Sequence, residues 1–138
     1  MAKVEFDASD FFAKTALIPA KIEVAGTTAV QASVDDLERI AVNVAPIDTG
    51  QLRRSSQKKV KTKGDVITGE VSFSASERGF NYALWTHEYD YNLGPQSSSA
   101  GGTDGYSVGN KYLSRPLYGE QNKYAKWWKD AMERALSL

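Results

Sequence analysis

Residues 48–50 of the chain read Asp-Thr-Gly, the triplet that carries the catalytic aspartate of aspartic proteases. Such an enzyme needs two of these aspartates side by side and sharing one proton, so this chain would have to act as a homodimer. The triplet would also have to follow a buried apolar strand, whereas here it follows a helical pattern and precedes a basic segment. We therefore interpret Pro46, Asp48, Thr49 and Gly50 as a structural turn, with the protease as an alternative.

A second polar cluster lies at His87, Glu88 and Asp90. If residues 80–88 form a strand, His87 and Glu88 point to opposite faces of it. The chain contains only one histidine, so no second imidazole can complete a metal site. We interpret the cluster as polar residues at the end of a strand.

Composition excludes several further classes of site. The chain has no cysteine, which excludes disulfides, thiol catalysis and cysteine-based zinc sites. The serines at 97–99 lack a base partner, and the glycine-rich residues 101–105 lack the spacing of a phosphate-binding loop. We predict that the protein is not an enzyme and that it has no catalytic residue, cofactor or metal.

Positive charge is concentrated in residues 51–63, although the net charge of the 138 residues is zero. This segment has six basic residues and no acid, against four basic and eight acidic residues in 1–50 and seven and nine in 64–138. Such an arm could contact a phosphate backbone or an acidic partner surface. Alternatively, its lysines protect a solvated edge strand from unwanted pairing. The candidate contact residues are Arg53, Arg54, Lys58, Lys59, Lys61 and Lys63.

The elements that must position these residues follow from the apolar pattern. Steps of three and four residues from Ile22 to Val44 predict a long helix that Pro46 ends. An earlier helical stretch is expected to start near Ser9 or Asp10 and to be interrupted at Pro19.

The second half of the chain predicts strands and a closing helix. Alternation over 66–75 indicates a strand, joined to the basic segment by a hairpin turn at 63–65, and residues 80–88 indicate a third strand. A helix is predicted from Arg115 or Pro116 to Leu136. Its stripe of apolar residues is expected to pack in the core: Tyr124, Trp127, Trp128, Ala131, Met132, Ala135 and Leu136.

Together these patterns predict a single α+β domain over residues 1–138. A long N-terminal helix precedes a small antiparallel sheet of three to four strands, and a C-terminal helix packs on the sheet. Residues 92–111 contain five glycines and four serines, so we expect a flexible loop that is disordered in a free monomer or ordered by a neighbouring subunit.

The first residues and the apolar runs bear on the localisation of the protein. The first seven residues carry acids and no apolar core, which predicts no signal peptide. No run approaches the ~20 apolar residues of a membrane span, so we expect a soluble protein without membrane contact.

The order of these motifs resembles the minor capsid or tail-completion protein family of long-tailed bacteriophages with non-contractile tails. That family typically shows A-P-x-D-T-G-x-L-R after a helix, which residues 45–53 match position by position. A hairpin follows, then Tyr82-Ala83 with Glu88 after four intervening residues, where the family's Y-A-x-x-x-E has one residue fewer, and then a glycine-rich loop. Residues 111–117 then lead into the last helix. The resemblance covers most of residues 20–136.

This resemblance implies a structural virion protein of the phage neck, at the head–tail junction, assembled in the cytoplasm of the host bacterium. It implies a homo-oligomeric ring, expected to be a hexamer, between the head-closure or stopper protein and the tail terminator or tail tube protein. Such a ring encloses the channel through which DNA passes, so we expect the basic arm either to face DNA in the lumen or to dock on an acidic adjoining ring. The alternatives are a tail-terminator or another connector ring subunit. From other classes, they are a homodimeric aspartic protease using Asp48 or a small DNA-binding protein using residues 53–63.

Overall fold

The computed structural model describes residues 2–7, 20–47 and 50–137, and for 2–7 and Glu77 it describes the backbone only. It confirms the predicted α+β class, with a long N-terminal helix, an antiparallel sheet and a long C-terminal helix. The helices are α1 (Ala20–Val44), α2 (Gln51–Arg54), α3 (Tyr82–Glu88), α4 (Pro95–Ser99) and α5 (Ser114–Leu136). The strands are β1 (Ala2–Asp7), β2 (Gln57–Lys63), β3 (Val66–Phe73), β4 (Ser76–Glu77) and β5 (Phe80–Asn81).

Helix α1 is the central helix of the domain. Its apolar stripe is buried along the whole helix, from Ile22 through Val34 to Val44. The helix ends at Val44, because Pro46 disfavours a helical conformation at the residue before it. The helical stretch predicted from Ser9 or Asp10 to Pro19 lies outside the described residues.

The main sheet has the strand order β1-β3-β2, and both pairings are antiparallel. The turn predicted at 63–65 joins β2 to β3, with Gly64 at a φ of 61°. The third strand predicted at 80–88 is wrong, because only Phe80 and Asn81 are extended and they pair with β4. The side chain of Asn81 accepts a hydrogen bond from the Leu84 N–H at 3.0 Å, so it caps α3 and starts a helix there.

One face of β3 packs directly on α1. Ile67, Val71 and Phe73 are fully buried on that face. Gly69 lies between them, and a Cβ atom there would stand 2.5 Å from Cγ1 of Val34. The missing side chain therefore allows the helix and the strand to approach closely.

Helix α5 packs antiparallel along α1 and closes the core. Of the predicted stripe, Tyr124, Trp128 and Met132 are buried, whereas Leu136 is exposed. The ring of Trp128 packs against Gly26 of α1, where a larger residue would clash with it, and against Ile67 of β3. The phenol of Tyr124 donates a hydrogen bond to Asp36 at 2.9 Å, which fixes the register of the two helices.

Residues 92–111 differ from the expected disordered loop. They contain α4, and the Ser97 hydroxyl bonds both the N–H and the C=O of Ile47, at 2.7 and 2.9 Å. The Gly109 N–H donates to the last carbonyl of α1, that of Val44, at 3.0 Å. Composition alone predicted a loop that is disordered in a free monomer or ordered by a neighbouring subunit, but these bonds to the preceding elements hold the segment within a single copy of the chain.

The tip of this segment is tied to both long helices. The guanidinium of Arg39 on α1 forms a bidentate pair with Asp104, at 3.0 and 2.9 Å. The hydroxyl of Tyr106 donates to Glu120 on α5 at 3.0 Å. Arg39 and Thr103 lower the pKa of Asp104 well below its ordinary value, so this carboxylate stays ionised.

We predict that Asp104→Asn loosens the tip without unfolding the domain. The substitution removes the charge that Arg39 binds, while asparagine still tolerates the positive φ of 52° at this position. Amide hydrogen exchange should become faster in residues 100–110 and stay unchanged in β3 and α5. Unchanged exchange across 100–110 would show that the Asp104 charge does not hold the segment.

Candidate functional site

The predicted basic arm divides into parts with different roles. Arg53 and Arg54 lie on the short helix α2 and not on the hairpin, which corrects their expected position. The guanidinium of Arg53 donates to the carbonyls of Ala45, at 2.8 Å, and Asn43, at 3.2 Å. These carbonyls belong to the C-terminal end of α1, where helical partners are lacking. Arg53 therefore caps α1 and is unavailable as a surface contact.

Lys58 also has an internal role. Its ammonium group pairs with Asp35 at 2.9 Å and with Glu38 at 3.4 Å, both on α1. It lies on the same face of β2 as Val60, which packs against the core. The hydrogen bond that the Lys58 ammonium donates to Asp35 raises the pKa of Lys58. This lysine attaches the hairpin to α1.

The remaining lysines of the arm face away from α1, because side chains alternate along a strand. We call Lys59, Lys61 and Lys63 the outward lysines. Lys61 pairs with Glu70 of β3 at 3.0 Å. Among the described residues, Lys59 and Lys63 have no ion-pair partner, and both are exposed. Strand β2 is an edge of the sheet, so these lysines border an open edge.

A second exposed surface surrounds α3. We call its members, Phe80, Leu84, Trp85 and Tyr89, the aromatic patch. All four are at least one-third exposed, and Tyr89 is 59% exposed. The Trp85 ring stacks on those of Tyr89 and Tyr91, with centroid distances of 6.1 and 5.2 Å. Large apolar side chains grouped on a surface mark interaction sites.

A shallow cleft of about 230 Å³ adjoins the aromatic patch. Trp85 and Tyr91 form one wall, and Pro46, Ile47 and Leu93 form part of the remainder. The Tyr91 hydroxyl donates to the carbonyl of Thr86, which fixes the stacked ring in place. The cleft is mostly apolar and would accept an apolar side chain.

The two exposed surfaces lie on different parts of the domain, the outward lysines along the first half of β3 and the aromatic patch beyond its last residue. The Ala83 N–H of α3 donates to the carbonyl of Ala75 at 3.1 Å, just beyond the last residue of β3. Lys63 pairs with Val66, the first residue of β3. A strand of this length spans roughly 23 Å, and Lys59, the nearest of the outward lysines, lies opposite Glu70, roughly 10 Å before its end. The outward lysines and the aromatic patch are therefore separate surfaces.

His87 and Glu88 are brought together, in contrast to the opposite faces expected for a strand. His87 is 5% exposed, and its Nδ1 lies 3.0 Å from a carboxylate oxygen of Glu88. Its Nε2 accepts a hydrogen bond from the backbone N–H of Ser114 at 3.4 Å. The same nitrogen lies 3.2 Å from the Ser114 hydroxyl. Lys111 binds the other oxygen of Glu88. The cluster joins α3 to the start of α5.

This contact requires a neutral imidazole, because Nε2 must accept from a group that can only donate. Burial lowers the pKa of His87, and the nearby Lys111 and Arg115 act in the same direction, whereas Glu88 opposes them. The unfolded chain therefore binds a proton at a higher pH than the folded protein does.

We predict that the free energy of unfolding falls as the pH decreases below about 6.5, the ordinary pKa of histidine. His87→Gln, which cannot titrate, should lack this dependence between pH 7 and 5. Urea unfolding across this range, with the His87 pKa followed by NMR, measures both effects. Parallel pH profiles for the two proteins would contradict the prediction.

Of the predicted turn, Pro46 is buried after α1 and Gly50 has a φ of 84°, as turn chemistry requires. Asp48 and Thr49 lie outside the described residues. Among residues 20–47 and 50–137, no cluster of three or more histidine or carboxylate side chains could hold a metal ion. Within the same part of the chain, no helix has the length and hydropathy needed to cross a bilayer.

The aromatic patch was missed by sequence reasoning because 80–88 was interpreted as a strand. The i, i+4 spacing of Trp85 and Tyr89, preceded by the capping residue Asn81, was the available signal for a helix with an aromatic face.

Comparisons of the chain with protein-family models, with curated proteins and with solved structures find no match.

Proposed function

We propose that the chain is a structural, ring-forming subunit of a phage neck, joining the head-closure complex to the tail tube. The observation that carries the proposal is the presence of two unlike exposed surfaces, the outward lysines along β2 and the aromatic patch beyond the last residue of β3. A subunit with two unlike surfaces associates head to tail, and such contacts form a ring when the rotation closes.

The sequence resemblance supplies the location. The motif at residues 45–53 and the order of elements after it are similar to phage minor capsid and tail-completion proteins. The geometry gives this motif a structural use, since Pro46 ends α1 and Arg53 caps it. The proposal includes no catalytic role. A tail-terminator or other connector ring would use the same two surfaces and differ only in its neighbours.

Imaging of the virion tests this function. Antibody raised against the purified chain, carrying a gold label, is expected to mark the head–tail junction of particles of the phage that encodes it. Antibody against the major capsid protein is the control, and it should mark the head shell. Labelling of the capsid shell or the distal tail, or its absence from intact particles, would overturn the proposal.

A further inference from the structure

We propose that the outward lysines of one copy dock on the aromatic patch and Asp90 of the next copy. This inference rests on the proposed function, because it specifies the contact between neighbouring subunits. The partner is therefore a second copy of this chain, bound head to tail.

The patch has the chemistry that recognises an ammonium group. The ring of Tyr89, which is 59% exposed and stacks on Trp85, offers a face that attracts cations. Asp90 follows immediately and is exposed. Its carboxylate accepts a hydrogen bond from Asn110 at 2.9 Å, and no described cation pairs with it. An aromatic face beside an available carboxylate suits lysine in two ways at once.

The hairpin presents the complementary groups. Lys59 and Lys63 are exposed and lack an ion-pair partner among the described residues, and they share a face with Lys61. Their positions along β2 span roughly 13 Å, which is enough to contact an aromatic ring and a neighbouring carboxylate together.

A second copy is favoured over another partner because one chain carries both complementary surfaces. Within a copy they do not pair: Lys59, the nearest outward lysine, lies opposite Glu70, roughly 10 Å before the end of β3, and α3 begins beyond that end. Positive charge on one end and an acidic aromatic surface on the other also set the direction of association. Each added copy leaves one surface of each kind free, as growth towards a ring requires.

Disulfide trapping tests the contact, because the chain has no cysteine of its own. Two copies are fused through a flexible linker of about 30 residues, which spans about 30 Å and raises their effective concentration. One copy carries Asp65→Cys at the tip of the hairpin, and the other carries Leu84→Cys in the patch. The control fusion carries Lys129→Cys, on the exposed face of α5, instead of Leu84→Cys.

The Asp65–Leu84 pair is expected to close at least about tenfold faster than the Asp65–Lys129 control. Lys59→Glu with Lys63→Glu in the first copy should reduce closure by about tenfold, and Asp90→Lys in the second copy should restore most of it. Equal closure rates for the two fusions would overturn the contact. So would salt-sensitive binding of duplex DNA that needs Lys59 and Lys63 while their replacement leaves closure unchanged, because it would assign them to DNA.

This test is independent of the virion label. Fast closure without a label at the neck would retain the contact and remove the neck function. A neck label without fast closure would retain the function and remove this contact.

Discussion

Phe73→Ala is expected to lower the free energy of unfolding by about 4 kcal/mol, because it removes a large side chain from the centre of the core. Phe73 is fully buried at the end of β3 and meets the ring of Tyr112 edge to face, at a centroid distance of 5.0 Å. The rigid neighbours on α1 would collapse only partly into the cavity. Urea unfolding followed by tryptophan fluorescence measures the loss.

The same substitution at an exposed phenylalanine provides the control. Phe80 is 53% exposed, so Phe80→Ala should change the free energy of unfolding by less than about 0.5 kcal/mol. Because Phe80 belongs to the aromatic patch and not to the core, Phe80→Ala should affect assembly without affecting folding. Similar losses for the two variants would show that Phe73 does not lie at the centre of the core.

Gly69→Val is expected to lower the free energy of unfolding by about 3 kcal/mol through overpacking. A Cβ atom at this position would lie 2.5 Å from Val34 and 2.8 Å from Val30, both on α1. These β-branched side chains have few rotamers and cannot turn aside, so α1 would have to move away from β3. Thermal unfolding followed by circular dichroism measures this loss of stability.

Gly101→Val is the matched control for this substitution. An added Cβ atom at Gly101 meets nothing within 4 Å, and its φ is not positive, so the change should be close to neutral. A neutral Gly69→Val, or an equal effect at both positions, would contradict the close packing of α1 on β3.

The long helices could be predicted from the sequence because their signals are local. Pro46 ends α1, and the apolar stripes that include Val34 and Trp128 repeat at helical spacing. The hairpin turn at Gly64 was equally readable. Each of these features depends on residues that are close to one another in sequence.

Most of the wrong predictions depend on contacts outside a residue's own element, whereas the strand predicted at 80–88 missed a local signal, the capping residue Asn81. Arg53 is basic in the sequence, but its hydrogen bond to Ala45 makes it a cap. For residues 92–111, composition predicted a loop that is disordered or ordered by a neighbouring subunit. Composition cannot reveal that Asp104 pairs with Arg39 of α1, 65 residues away in sequence. Among the candidate contacts, the sequence could not separate Lys58, which binds α1, from Lys59, which faces outward.

The cap formed by Arg53 has a mechanical consequence. Helix α2 leads through two residues into β2, so the base of the hairpin is bonded to the end of α1. Lys58 adds a second attachment further along the strand. Force applied to the hairpin tip would therefore be transmitted to α1 instead of bending the chain between α2 and β2. The hairpin would act as a rigid lever.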